Sequence, residues 1–101
     1  MKEWLDRLFG RRFAIFAPPE PEGAAAIVRF HLDRLSPALR AGAVALRAEV
    51  IEDFGSPEAA DAWLVAHVPF IGGRPVDALR SARGQTSVSL TLNNMRYGIY
   101  S

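Results

Sequence analysis

The chain has 101 residues, enough for one domain and not two. Half of its residues are hydrophobic and 23% are charged, the balance of a folded globular protein and not of a disordered tail. A formal net charge of +1 excludes a strongly basic nucleic-acid coat, and the absence of cysteine excludes disulfide scaffolds, thiolate zinc sites and thiol nucleophiles.

The chain opens with Trp4, Leu5, Leu8 and Phe9 on one side of a helical pattern, with Glu3, Asp6 and Arg7 off it and Gly10 placed to cap it. A helix this short is marginal alone, so its apolar stripe is expected to dock on the core or on a partner chain rather than on a membrane. Pro18-Pro19-Glu20-Pro21 cannot be helix interior and reads as an extended linker, so residues 1–22 form an N-terminal helix and linker ahead of a helical domain at 23–101. From Gly23 a second pattern runs through Ile27, Val28, Phe30, His31 and Leu35. Ser36-Pro37 is a helix start, with serine at the cap and proline in the first turn. Leu39, Ala43, Leu46, Val50 and Phe54 follow at helical spacing, and Gly55 ends the run.

Ser56-Pro57-Glu58 repeats the start signal, and the next helix carries Ala60, Trp63 and Leu64 and fades near Ala66 to His67. Phe70-Ile71-Gly72-Gly73 is an apolar loop. Pro75 opens a short helix with Val76 and Leu79 that is expected to end near Arg83-Gly84. Val88 to Leu92 alternates like a strand, yet Val88, Leu92, Met95 and Ile99 share one helix face. A lone strand would have no partner, so the spacing predicts helix to about Arg96. The fold class expected is all-α, about five to six short helices with a helical N-terminal extension.

Constellations of reactive groups are sparse. His31 and His67 sit on different elements with no metal-ligand spacing, and read as structural. Glu52 and Asp53 are neighbours that point about 100° apart on a helix, and read as a solvated face. No phosphate-binding glycine loop and no nucleophile triad is present. The expected protein is therefore not an enzyme, with no catalytic residue, no cofactor and no metal. Arg7, Arg11 and Arg12 form the one basic cluster, short and flanked by Glu3 and Asp6. No apolar stretch is long enough to span a bilayer, and the first residues mix charges where a signal peptide is apolar. The cytoplasm is the expected compartment. The final residues, Met95 to Ser101, hold two tyrosines and an isoleucine where termini are usually polar. They either fold back on their own core or insert into another protein.

These residues together resemble a known family. Val50-Ile51-Glu52-Asp53-Phe54-Gly55 closes a long helix, and Ser56 to Leu64 follows with Ala60, Trp63 and Leu64 in place. Phe70-Ile71-Gly72-Gly73-Arg74-Pro75-Val76-Asp77-Ala78-Leu79 and Met95-Arg96-Tyr97-Gly98-Ile99-Tyr100-Ser101 complete the pattern. In order and spacing, residues 47–101 are similar to the toxin-binding domain of the MbcA/ParS/Xre antitoxins.

The resemblance implies an antitoxin of a type II toxin–antitoxin system, whose partner is an NAD-using toxin of the RES or ParT-like class. It implies that the C-terminal segment obstructs the toxin's NAD pocket. Carried onto this chain, the toxin-binding candidates are Arg96, Tyr97, Gly98, Ile99, Tyr100 and Ser101, with the turn Gly73, Arg74 and Pro75 as a second contact. Trp63 and Leu64 fit the pattern and read chiefly as core. A homo-oligomer, or a hetero-oligomer with the toxin, is expected. Most relatives carry a DNA-binding helix-turn-helix ahead of this domain, and the front of this chain does not read as one. The alternative reading is a transcriptional autoregulator that contacts nucleic acid through Arg7, Arg11, Arg12 and Arg29.

Overall fold

The computed structural model describes residues 21–98, and within them every regular element is a helix: α1 (Pro21–Asp33), α2 (Pro37–Phe54), α3 (Pro57–Leu64), α4 (Pro75–Ala78) and α5 (Ala82–Arg96). The all-α class is as expected. The expected N-terminal helix, most of the proline linker and the last three residues lie outside the described residues.

Local chemistry sets most of the helix ends. Ser36 Oγ accepts the Leu39 N–H and Ser56 Oγ accepts the Ala59 N–H, so each Ser-Pro pair caps its helix as its sequence predicts. Gly55 closes α2 at φ 95°, a left-handed conformation, and its N–H reaches the Ile51 carbonyl. Arg40 caps from a distance: it donates to the Leu32 and Asp33 carbonyls at the end of α1 (3.1 and 2.8 Å).

Two boundaries differ from the sequence reading. α1 starts at Pro21, two residues earlier, because the last proline of the run sits at a first helical position, where its missing N–H costs nothing. The short helix from Pro75 stops at Ala78, and α5 begins again at Ala82. Its cap is Ser81, whose Oγ accepts the Gly84 N–H at 2.9 Å. Gly84, expected as a terminator, lies inside the first turn of α5 against the Ala78 backbone carbonyl. A Cβ there would collide with backbone and not with a movable side chain. Gly84→Ala should therefore cost on the order of 2 kcal/mol or more, read as a fall in the urea midpoint. An unchanged midpoint would refute the close approach.

Helical stripes converge on one core. α2 gives Ala43, Leu46, Val50 and Phe54, α3 gives Ala60, Trp63 and Leu64, and α5 gives Val88, Leu92 and Met95. Ala24 and Val28 of α1, Val65 and Val68 after α3, and Val76 and Leu79 from the α4 region complete it. Phe54 and Trp63 meet with ring centroids 5.6 Å apart. Phe30, in the apolar pattern of α1, points outward instead and lies beneath the Arg34 guanidinium, 3.5 Å from its ring centroid.

The tail helix resolves in favour of helical spacing. Buried Thr91 returns its hydroxyl to the Ser87 carbonyl at 2.8 Å, so a β-branched polar residue sits inside the core with its donor satisfied. α5 lies beside α2 and parallel to it. Gln85, near its start, donates to the Leu39 carbonyl of α2 at 2.8 Å, and Arg96, at its end, bonds to Glu49 and Asp53 further along α2. Gln85 donates also to the Leu79 carbonyl at 2.9 Å, which joins α2, the end of α4 and α5 through one side chain.

Candidate functional site

Three consecutive candidates, Arg96, Tyr97 and Gly98, sit at the end of α5 and differ in what they do. Met95, one residue earlier, is fully buried and anchors the helix end. Arg96 turns back to α2. Its Nε donates to Asp53 Oδ2 at 2.8 Å, its Nη2 to Glu49 Oε1 at 2.9 Å, and its Nη1 to Asn93 Oδ1 at 3.1 Å. Partial burial pulls the Arg96 pKa down, but the bonds to Glu49 and Asp53 outweigh it and the net shift is upward. Ala48, Glu49, Glu52, Asp53 and Arg96 line an open, shallow groove beside this pairing. Asp53 is thus not part of a solvated face: only 15% of its side chain is exposed, because Arg96 covers it.

Tyr97 points away from the core with 82% of its surface exposed, the largest exposure among the big apolar residues described. Gly98 follows at φ 75°, the left-handed region where a side chain would be strained. Gly98 thus ends the helix in a conformation suited to glycine. Ile99, Tyr100 and Ser101 lie outside the described residues.

The second candidate group, Gly73, Arg74 and Pro75, forms a tight turn. The Val68 N–H donates to the Gly73 carbonyl at 2.8 Å, and Gly72 takes φ 83° to close the loop. Phe70 stands at the loop's tip, more than half exposed. Pro75 is buried, so it holds α4 to the core and offers little surface to a partner. Arg74 forms a two-point pair with Asp77, one turn ahead (2.9 and 3.1 Å). His31 Nε2 lies 3.9 Å from the same carboxylate.

The Arg74 hydrogen bonds hold the Asp77 carboxyl below its ordinary 3.8; partial burial opposes them, and the charges of Arg74, His31 and Arg80 assist. A depressed carboxyl stabilises the fold above its unfolded pKa, and the contribution fades as pH falls through the lower, folded value. The pair is well exposed, so its worth is below about 1 kcal/mol. The melting temperature of the parent should exceed that of Asp77→Asn slightly at neutral pH, and the difference should shrink as the pH falls below the ordinary carboxyl range. A difference that grows on acidification would contradict the pairing.

Another charged pair escaped the sequence reading. Asp61 of α3 is buried, and Arg47 of α2 meets it with two parallel bonds, Nε to Oδ1 at 2.8 Å and Nη2 to Oδ2 at 2.9 Å. Those bonds raise the Arg47 pKa above its ordinary value, against the opposing effect of partial burial. No spacing rule could have found a pair formed between two helices. Trp63 and Leu64 are fully buried, so the pair Trp-Leu serves the core.

Among the described residues, no group of three or more histidine, aspartate or glutamate side chains could hold a metal ion. No described helix is long and apolar enough to cross a membrane. Arg7, Arg11 and Arg12 lie outside the described residues, and Arg29 is exposed on α1.

Residues 50–98 match the family model of the antitoxin Xre/MbcA/ParS C-terminal toxin-binding domain. The match ends at Gly98, where the described chain also ends. No curated protein and no solved structure matched the chain.

Proposed function

We propose that this chain, whose residues 50–98 carry the toxin-binding domain of the Xre/MbcA/ParS antitoxins, neutralises an NAD-using toxin of the RES or ParT-like class by placing its last residues over the toxin's NAD pocket. The observation that supports the tail mechanism is the contrast at the end of α5: Met95 is buried and Arg96 is tied down, while Tyr97 is exposed and Gly98 takes a left-handed conformation that ends the helix. A helix fixed to its own core up to one residue, with the next one exposed, can present that residue to a partner without reorganising. Tyrosine suits that role, since it brings apolar area and one hydrogen-bonding tip. The turn at Arg74 and the exposed Phe70 provide a second contact. The inhibition is steric and competitive with NAD, the chain itself performs no reaction, and the cytoplasm is its place of action.

The test is capture from the native host with the full chain, followed by an assay of the captured protein for NAD consumption. Silencing that NAD relieves competitively supports the reading. Capture of no NAD-consuming protein overturns it.

A further inference from the structure

We infer that Arg96 is a positioning residue: by clamping the end of α5 to Glu49 and Asp53 of α2, it holds the last turn that presents exposed Tyr97 and left-handed Gly98, and it does not itself bind the partner. This rests on the reading of the chain as an antitoxin that acts through its C-terminal segment. The Arg96 guanidinium is already occupied within its own chain. Nε, Nη1 and Nη2 each donate to an oxygen of this same chain. Two of the three acceptors are carboxylates on another helix, 43 and 47 positions away in sequence. An arginine recruited from this arrangement by a partner would leave Asp53, largely covered, without its cation.

The geometry explains why a clamp is needed at this point. Helix ends fray, and among the described residues the last turn of α5 is closed by the bonds from Tyr97 N–H to the Asn93 carbonyl (3.1 Å) and from Gly98 N–H to the Met95 carbonyl (3.3 Å), both at the long end of the range. If the final turn opened, Tyr97 and Gly98 would lose their fixed place relative to α2. A fork held by two carboxylates resists that motion in two directions, where a lysine's point charge would resist it less. Asn93 closes the arrangement from within α5, one turn back.

The experiment compares Arg96→Ala, Arg96→Lys and the double variant Glu49→Gln with Asp53→Asn, each in the full chain. Two quantities are read: inhibition of NAD consumption by the captured partner, and hydrogen exchange at individual backbone amides of the free protein. The expected result is that Arg96→Ala and the double variant both weaken inhibition by about tenfold or more, with Arg96→Lys between them and the parent. The Tyr97 and Gly98 amides should exchange faster in both, while Val50 and Leu92 stay protected. If Arg96→Ala loses inhibition but the double variant keeps it, Arg96 touches the partner directly and the inference is wrong. If both inhibit like the parent, the clamp positions nothing. If Val50 and Leu92 lose protection as well, Arg96 is a general brace of the fold and the positioning role is overturned. A parent chain that silences no captured partner overturns the antitoxin reading itself, and the variants play no part in that outcome.

Discussion

A chain stopped after Tyr97 should fold as the parent does and still be captured by its partner, yet lose inhibition on the order of 100-fold. The folding half of this expectation follows from where the core ends. Val88, Thr91, Leu92 and Met95 are all at most 2% exposed, and all precede the cut. The bond lost within the described residues is the one from Gly98 N–H to the Met95 carbonyl, long at 3.3 Å and at the end of the helix. The stability change should stay within about 0.5 kcal/mol, the usual range for exposed positions. The functional half follows from the separation of roles. On the proposed reading the helical body supplies the docking surface and the terminal residues supply the obstruction, so removing the latter should spare binding and abolish silencing. Measurement of dissociation constant and inhibition on the same samples separates the two. A shortened chain that inhibits fully would remove the tail from the mechanism. One that neither folds nor binds would place the last residues in the core. A protein whose work was to contact nucleic acid through its N-terminal arginines would be indifferent to the cut.

Arg47→Ala should be among the most damaging single changes in the helical body. It leaves the Asp61 carboxylate, with 3% of its side chain exposed, between α2 and α3 without a cation. Stranding a buried charge costs far more than the pair contributes when intact, on the order of 2–4 kcal/mol here, because the Arg47 end of the site is open to water. For a domain of this size, that is a fall in melting temperature of roughly 10–20 °C. The reverse change distinguishes this cause from simple loss of packing. Asp61→Ala frees an arginine that can turn to solvent, so it should cost less than Arg47→Ala, and the double variant should recover part of the loss. Equal losses in both single variants, with strict additivity in the double, would show that packing and not charge governs the site.

The sequence showed what local rules govern, and failed where distant residues meet. The stripe Leu39, Ala43, Leu46, Val50 and Phe54 was legible because a helix repeats its faces every three to four residues, and all but half-buried Leu39 are in the core. Ser36 and Ser56 were legible because the proline after each marks a first turn. Ser81 lacked that mark and was passed over, which merged the end of α4 with the start of α5. The clamp at Arg96 and the pair Arg47–Asp61 were invisible, since their partners lie on other helices and no periodicity links them. Arg96 and Arg74 are expected partner contacts from the sequence, and their bonds to carboxylates of the same chain enter only with the side-chain positions. Tyr97, by contrast, is as available as its place in the sequence suggests.

Four of the five helices begin on a proline, at Pro21, Pro37, Pro57 and Pro75. A proline in that place has no N–H for a preceding carbonyl, and it disfavours helical backbone in the residue before it. None of these four helices can grow backwards by a turn, so the joints between them keep their lengths and the helices cannot slide in register. Whatever docks against this body meets a preformed shape. The helical body therefore incurs little ordering cost on association, and a change in affinity through evolution can be made at its exposed residues, such as Phe70 and Tyr97, without reworking the scaffold that carries them.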